Sequence, residues 1–260
     1  MQSPAIKWQG DRLFVIRNLM AKDFRIRYRN MSLGIFWSLL NPLIMMGVLA
    51  FIFTKIFVNA QAPQYPVFVL CGLIPFNFLS LSWSIGTGCI VDNPTLIKRA
   101  TFPKELIAIA SVLSNCLHLL IQIALMLTLV LAFGNHINRY WLWLPFIWGF
   151  EVVFTCGLVL LCSALNVYIR DMRYIVEASC TVLFWLVPIF YSWTLIPVQY
   201  QNVYQFNPVA AIVLALRTIL LDGASPAASL LTKLALSSVA IFTTGWFVFG
   251  RAKRRFYDYL

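Results

Sequence analysis

The chain has 260 residues, 61% of them hydrophobic and only 11% charged, with a formal net charge of +11; its mean hydropathy is +0.81. A soluble domain carries about a quarter charged residues, so these charges could not cover a water-soluble globule, and the composition defines an integral membrane protein. In such a chain the positive excess reads as loops held on the cytoplasmic side, not as a nucleic-acid surface.

The first thirty residues are dense in cations. Lys7, Arg12, Arg17, Lys22, Arg25, Arg27 and Arg29 all precede the first apolar run. Read as a helix over 10–30, Leu13, Met20, Phe24 and Tyr28 share one face, interrupted by Arg17, while Asn18, Lys22, Arg25 and Arg29 share another. This basic amphipathic pattern suits the inner headgroup layer. Two roles stay open: a membrane-surface anchor, or a face that also docks a cytosolic subunit.

A spanning helix needs roughly 20 apolar residues. The charge-poor windows predict an all-α membrane fold with six spans, at 31–54, 67–91, 106–133, 141–167, 174–193 and 229–250. The segment "NAQAPQYP" (59–66) reads as an external turn, as does the stretch from Gly134 to Asn138. The first apolar run is too long for a cleavable signal and lacks a small-residue cleavage site. The six cysteines fall mostly within spans without a C-x-x-C, which suits small buried hydrophobes.

Between the last two spans, residues 195–222 are too apolar for an ordinary loop and are broken by Pro197 and Asn207–Pro208. We read two short re-entrant helices; the alternative is a long exposed loop carrying an interfacial helix. Sixteen of the twenty Lys and Arg fall on one side of this topology, which the positive-inside rule makes cytoplasmic, with both termini inside.

The inner connections carry the candidate sites. "DNPTLIKRATFPKE" predicts a short helix over 93–103, with Asp92 or Asn93 as cap and Pro94 at its first position. It would present Leu96, Lys98 and Arg99 as a basic knob. Arg170 and Asp171 are adjacent and so do not share a helix face; they suit ties to loop backbone or a neighbouring helix. Glu151 is an intramembrane carboxylate, a costly feature, which we expect to pair with Lys233 or Arg217. Phe36, Trp37, Trp185, Phe190, Tyr191 and Trp193 offer ring faces on which amphipathic cargo such as sugars can slide, although belt and packing roles come first for any single one of them. No Gly-Lys dipeptide occurs, hence no P-loop. The two histidines lie apart, and no paired-carboxylate motif for metal and diphosphate is visible.

The chain also resembles a family. "YRNMSLGIFWSLLNPL", "FVLCGLIPFNFLS", "NPTLIKRATFPKEL", "VYIRDMRYIVE", "FWLVPIFYSWTLIP" and "FNPVAAIV" look like an ABC-2 type permease of the branch exporting bacterial cell-surface polysaccharides and teichoic acids. The resemblance implies an interface helix around 10–30, with Arg17, Arg25 and Arg29 facing a separate ATP-binding subunit. It implies a coupling helix over 93–103, with Asn93, Leu96, Lys98 and Arg99 entering a cleft on that subunit, and external gate helices in 195–222. Two permeases would pair with two ATPase subunits, which would hold the MgATP, this chain binding no cofactor. The implied cargo is an undecaprenyl-diphosphate-linked polysaccharide of O-antigen type, with teichoic acid or capsule next and a small molecule less favoured. The competitor from another class is a membrane glycosyl- or acyltransferase.

Overall fold

The computed structural model describes residues 10–28, 36–56, 64–99 and 102–259, without the side chains of 27, 28, 99, 202 and 203. Arg29, the first five residues of the predicted 31–54 span, most of the 59–66 turn and residues 100–101 of the predicted coupling helix lie outside the described residues. The fold is all-helical, with no strand among the described residues: α1 (Arg12–Tyr28), α2 (Trp37–Phe51), α3 (Tyr65–Gly88), α4 (Pro94–Arg99), α5 (Glu105–Ala132), α6 (Leu144–Tyr168), α7 (Met172–Leu186), α8 (Val198–Phe206), α9 (Pro208–Leu220), α10 (Ala228–Ala252) and α11 (Phe256–Tyr259). Five helical stretches have the length and hydropathy to cross a bilayer: Trp37–Ile56, Tyr65–Gly88, Glu105–Ala132, Arg139–Tyr168 and Ala228–Tyr259. The protein is therefore an integral, multi-pass membrane protein.

Packing sorts these helices. α3 is central, with 72% of its apolar stretch buried, whereas α2 and α10 bury 11% and 17% of theirs. α3 touches α2, α5, α6, α7 and α9. The outer helices present Ile44, Met45, Val48 and Phe51 on α2, and Leu236, Val239, Trp246 and Phe247 on α10. In water such faces would be a liability; against lipid tails they cost nothing.

Helices gain little by meeting inside a membrane unless their backbones come close. α6 and α10 do so at two glycines. A Cβ on Gly157 would lie 2.6 Å from the Phe242 backbone, and one on Gly245 would collide with the Gly157 carbonyl. We expect Gly157→Leu to force these helices apart and cut the folded, membrane-inserted yield at least severalfold. Quantitative blotting of detergent-extracted, gel-filtered protein checks this, and unchanged monodisperse yield would mean the crossing is slack.

The predicted fifth span is the main departure. Instead of running over 174–193, α7 ends at Leu186 after 15 residues. That is about 22 Å at 1.5 Å per residue, short of the roughly 30 Å hydrocarbon core. Pro188 explains the stop: it lacks an N–H and pushes the preceding residue to extended backbone, and Val187 has ψ 136°. The following segment lies over α3 at Gly72, where a Cβ would come 2.9 Å from the Ile189 Cα.

Residues 195–222 contain two helices, α8 and α9, bent by 103° relative to one another. Asn207 marks the break: its side chain accepts from the Val209 N–H, and Pro208 opens α9. At 9 and 13 residues neither helix is long enough to cross alone. Ten residues of α9 are buried, whereas Val198, Tyr200 and Phe206 of α8 are exposed.

Candidate functional site

The basic segments gather at one end of the bundle. α1 packs on α5, and Lys22 Nζ donates to Asn93 Oδ1 at 2.6 Å. Asn93 Nδ2 donates to the Cys89 carbonyl at 2.9 Å, while Asp92 pairs with Arg173. Neither side chain therefore caps α4, contrary to the expectation. Instead they bolt its start to α1 and to the first turn of α7. α4 turns Ile97 fully into the core and keeps Leu96 partly buried, which leaves Lys98 exposed. Arg99 closes the helix, its side chain outside the described residues.

α1 is less cleanly amphipathic than its spacing suggests. Arg17 and Arg25 border a shallow hollow with Leu13, Ile16, Met20 and Phe24, yet Leu13, Phe14 and Ile26 remain 73%, 66% and 64% exposed. Its apolar residues are thus not gathered under one cover. The physical reason is the sequence itself: Phe14 and Ile26 project from faces other than the one that meets α5.

The rest of this end is tied by contacts that local sequence does not announce. Arg170 Nη2 reaches the Tyr259 carbonyl only at 3.5 Å. Asp171 opens α7 through its carbonyl, which accepts from the Ile175 N–H. Lys253 pairs with Glu105 at 3.1 Å, and Lys104 sits 3.4 Å above the Tyr257 ring. Tyr168 donates to the Ala252 carbonyl at 2.7 Å. Phe256 is fully buried, so α11 folds under the bundle.

The six candidate aromatics separate into groups. Phe190 is the hub of one, with ring centroids 5.3 Å from Trp185, 5.2 Å from Tyr191 and 5.5 Å from Phe53. Tyr191 Oη also donates to the Leu186 carbonyl at 2.7 Å, closing the end of α7. Trp193 contacts Tyr204 instead. Phe36 and Trp37 open α2; Trp37 precedes Phe53 by 16 residues, about 24 Å of helix. One continuous aromatic cluster is therefore not formed.

Beside the Phe190 hub runs a groove that residue-by-residue reading missed. Asn77, Ser80 and Ser84 of α3 and Glu177 and Thr181 of α7 line it with Met45, Phe76 and Phe184, an open depression of about 480 Å³. The polar positions follow i, i+3, i+7 on α3 and i, i+4 on α7, one face of each helix. That spacing was legible; that the two stripes face each other was not. The groove offers hydroxyl, amide and carboxylate groups next to aromatic rings, a lining that a polyhydroxylated chain can hydrogen-bond and slide along.

Two buried ionisable groups do not pair as expected. Both carboxylate oxygens of Glu151 are buried without a hydrogen-bond partner among the described residues. Lys233 is bonded to Gln205 Oε1 at 2.6 Å. Arg217 is taken up by backbone: Nε and Nη2 donate to the Phe68 carbonyl at 3.3 and 3.2 Å, and Nη2 to the Ile189 carbonyl at 2.6 Å. Its guanidinium lies 3.4 Å above the Phe68 ring. The broken backbone after Leu186 leaves carbonyls without helical partners, and they outcompete a distant carboxylate.

A multi-pass bundle with a basic, cross-braced end and a groove of polar and aromatic side chains suits a membrane transport subunit. The family model for the ABC-2 type transporter matches residues 15–221, and the chain belongs to that family. It is 30% identical over 251 residues to an O-antigen export system permease protein, RfbA, of Klebsiella pneumoniae, covering 96% of this chain and 95% of that one. It is 27% identical over 241 residues to RfbA of Myxococcus xanthus, with 92% of each chain covered. Over 213 residues it is 25% identical to the polysialic acid transport protein KpsM of Escherichia coli, covering 80% of this chain and 81% of the other.

Proposed function

We propose that this chain is the permease subunit of an ATP-driven exporter that moves a lipid-linked cell-surface polysaccharide of O-antigen type across the cytoplasmic membrane. The observation that carries this reading is the groove of Asn77, Ser80, Ser84, Glu177 and Thr181, a line of polar groups along an otherwise apolar face. It fits the cargo named for the relatives matched over more than nine-tenths of the chain. Capsular polysaccharide is the second reading, favoured by the likeness to a polysialic acid transport protein.

In this reading the basic end faces the cytosol, as the positive-inside rule requires. α1 and α4, joined by Lys22 and Asn93, receive the ATP-binding subunit, which holds the MgATP. Two copies of each subunit assemble, and the exposed apolar faces of α2 and α7 flank the groove where a second copy closes it into a channel. The α8–α9 pair dips into the outer leaflet as the external gate. The diphosphate-linked undecaprenyl end remains with the bilayer while the glycan takes the groove.

Deleting the gene and locating the glycan tests the reading. Loss of surface polymer with lipid-linked polymer accumulating on the cytosolic face is the expected result. Wild-type complementation should restore export, and Ser80→Trp, which fills the groove, should restore less than a tenth of it at equal membrane level. Polymer of altered structure in an unchanged location would instead point to a transferase.

A further inference from the structure

At the opposite end of the bundle from the basic segments lies a second cavity, of about 480 Å³, which the transport groove does not use. Its walls come from four places in the chain: Gln64 before α3, Asn135 after α5, Ser192 to Thr194 beyond α7, and Arg217, Thr218 and Asp222 at the end of α9. Ordinary packing would fill such a gap with aliphatic side chains. Here Phe68, Leu214 and Leu221 share the walls with converging polar groups, and one of these is an arginine only 6% exposed.

Arg217 is held rigidly but is not saturated. A guanidinium has five N–H donors. Nε and Nη2 make three firm bonds to Phe68 and Ile189, while Nη1 reaches only the Tyr191 carbonyl, at 3.5 Å. The ion pairs among the described residues are Arg173–Asp92 and Lys253–Glu105, so no carboxylate neutralises it by direct contact. Asn135 Nδ2 donates to Gln64 Oε1 and Gln64 Nε2 to the Phe133 carbonyl, which fixes both amides and leaves Asn135 Oδ1 as an acceptor. Trp193 adds an indole ring to the lining beside the Ser192 and Thr194 hydroxyls. Desolvation raises the Asp222 carboxyl above its ordinary value, with Arg217 acting in the other direction.

Planar donors and acceptors of both kinds, fixed around an aromatic ring in a half-enclosed space, match a ligand with many hydroxyls and a C–H face. An anionic headgroup would meet Asp222 as a repulsive neighbour, whereas a neutral sugar can use it as an acceptor. We propose that this cavity is a glycosyl-binding site, taking one sugar residue of the exported chain on the external side. The proposal rests on the polysaccharide-export reading. A site of this kind holds the emerging chain weakly and disfavours its return.

The test is site-specific photocrosslinking in cells that make the polymer. A benzophenone amino acid is placed at Thr194 or Thr218 in the cavity, at Trp185 by the groove, and at Leu236 on the exposed face of α10. Glycan-reactive adducts are expected at 194, 218 and 185 and not at 236. In the Thr194 background, Trp193→Ala and Asp222→Asn should each lower the adduct at least threefold at equal membrane level. Adducts at 185 but not at 194 or 218 overturn the cavity assignment and leave the export reading standing; absence at all three counts against both. A phospholipid adduct at 194 in place of glycan would reassign the cavity to a headgroup.

Discussion

Reversing the charge of Lys98 and Arg99 together is expected to reduce export more than tenfold while the protein remains inserted and folded. α4 is a six-residue helix, too short to be stable alone. It persists because Ile97 is buried and because Asn93 is bonded to Lys22 and to the Cys89 carbonyl. Lys98 contributes to none of these ties and points outward, so its charge is free to serve a partner. In the proposed exporter, a charged helix braced against α1 and, through Asp92, against α7 would pass displacement of one element to the others. The measurement is polymer export alongside ATPase activity of the co-purified complex. Export lost with ATPase activity retained marks uncoupling, loss of co-purification marks failed docking, and normal export would remove α4 from the energy-transducing path. Lys22→Ala should give a milder version of the same defect, because it loosens α4 without changing its outer face.

Replacing Arg217 by alanine should be among the most damaging single changes in the bundle. The side chain satisfies the Ile189 carbonyl and adds donors to those of Phe68 and Tyr191, in a segment whose backbone has left the helix at Val187. Each buried carbonyl deprived of its donor costs about 1–3 kcal/mol, and the stacking on Phe68 is lost as well. The segment from Val187 to Ser192 would lose its hold on α9, and with it the seat of the α8–α9 pair. We expect a fall in thermal midpoint of the detergent-solubilised protein and export below the level of Arg217→Lys, which keeps the charge but loses the planar fork. Equal midpoints for wild type and Arg217→Ala would show that those carbonyls find other donors.

The two arginine systems differ in how visible they are beforehand. Lys98 and Arg99 stand out because they lie in a Pro-started helix between two apolar runs, a local pattern. Arg217 lies in an apolar stretch, where its charge suggests only a possible partner for Glu151. Its true partners are backbone carbonyls more than 25 residues away in sequence at Ile189 and Tyr191 and 149 away at Phe68, and a carbonyl freed by a proline carries no side-chain signature. The same holds for Asp92 with Arg173 and Lys253 with Glu105, which are ordinary loop charges until the helices are brought together.

Membrane residence, the all-helical class and the approximate positions of α3, α5, α6 and α10 were determined by sequence alone. A bilayer demands about 20 apolar residues per crossing with every backbone group satisfied inside its own helix, and both demands are written locally. The early end of α7 was also written locally, in Pro188, although a continuous apolar run masked it. What only the tertiary structure decided is which faces meet. The α3 and α7 polar stripes form a groove, Phe190 gathers Trp185 and Tyr191 while Trp37 lies at the other end of α2, and Arg217 holds carbonyls while Glu151 has no hydrogen-bond partner among the described residues. In lipid, apolar faces are nearly interchangeable. Helix placement therefore turns on close backbone approaches such as Gly157 against Gly245 and on a few long-range hydrogen bonds, and neither leaves a periodic trace in the chain.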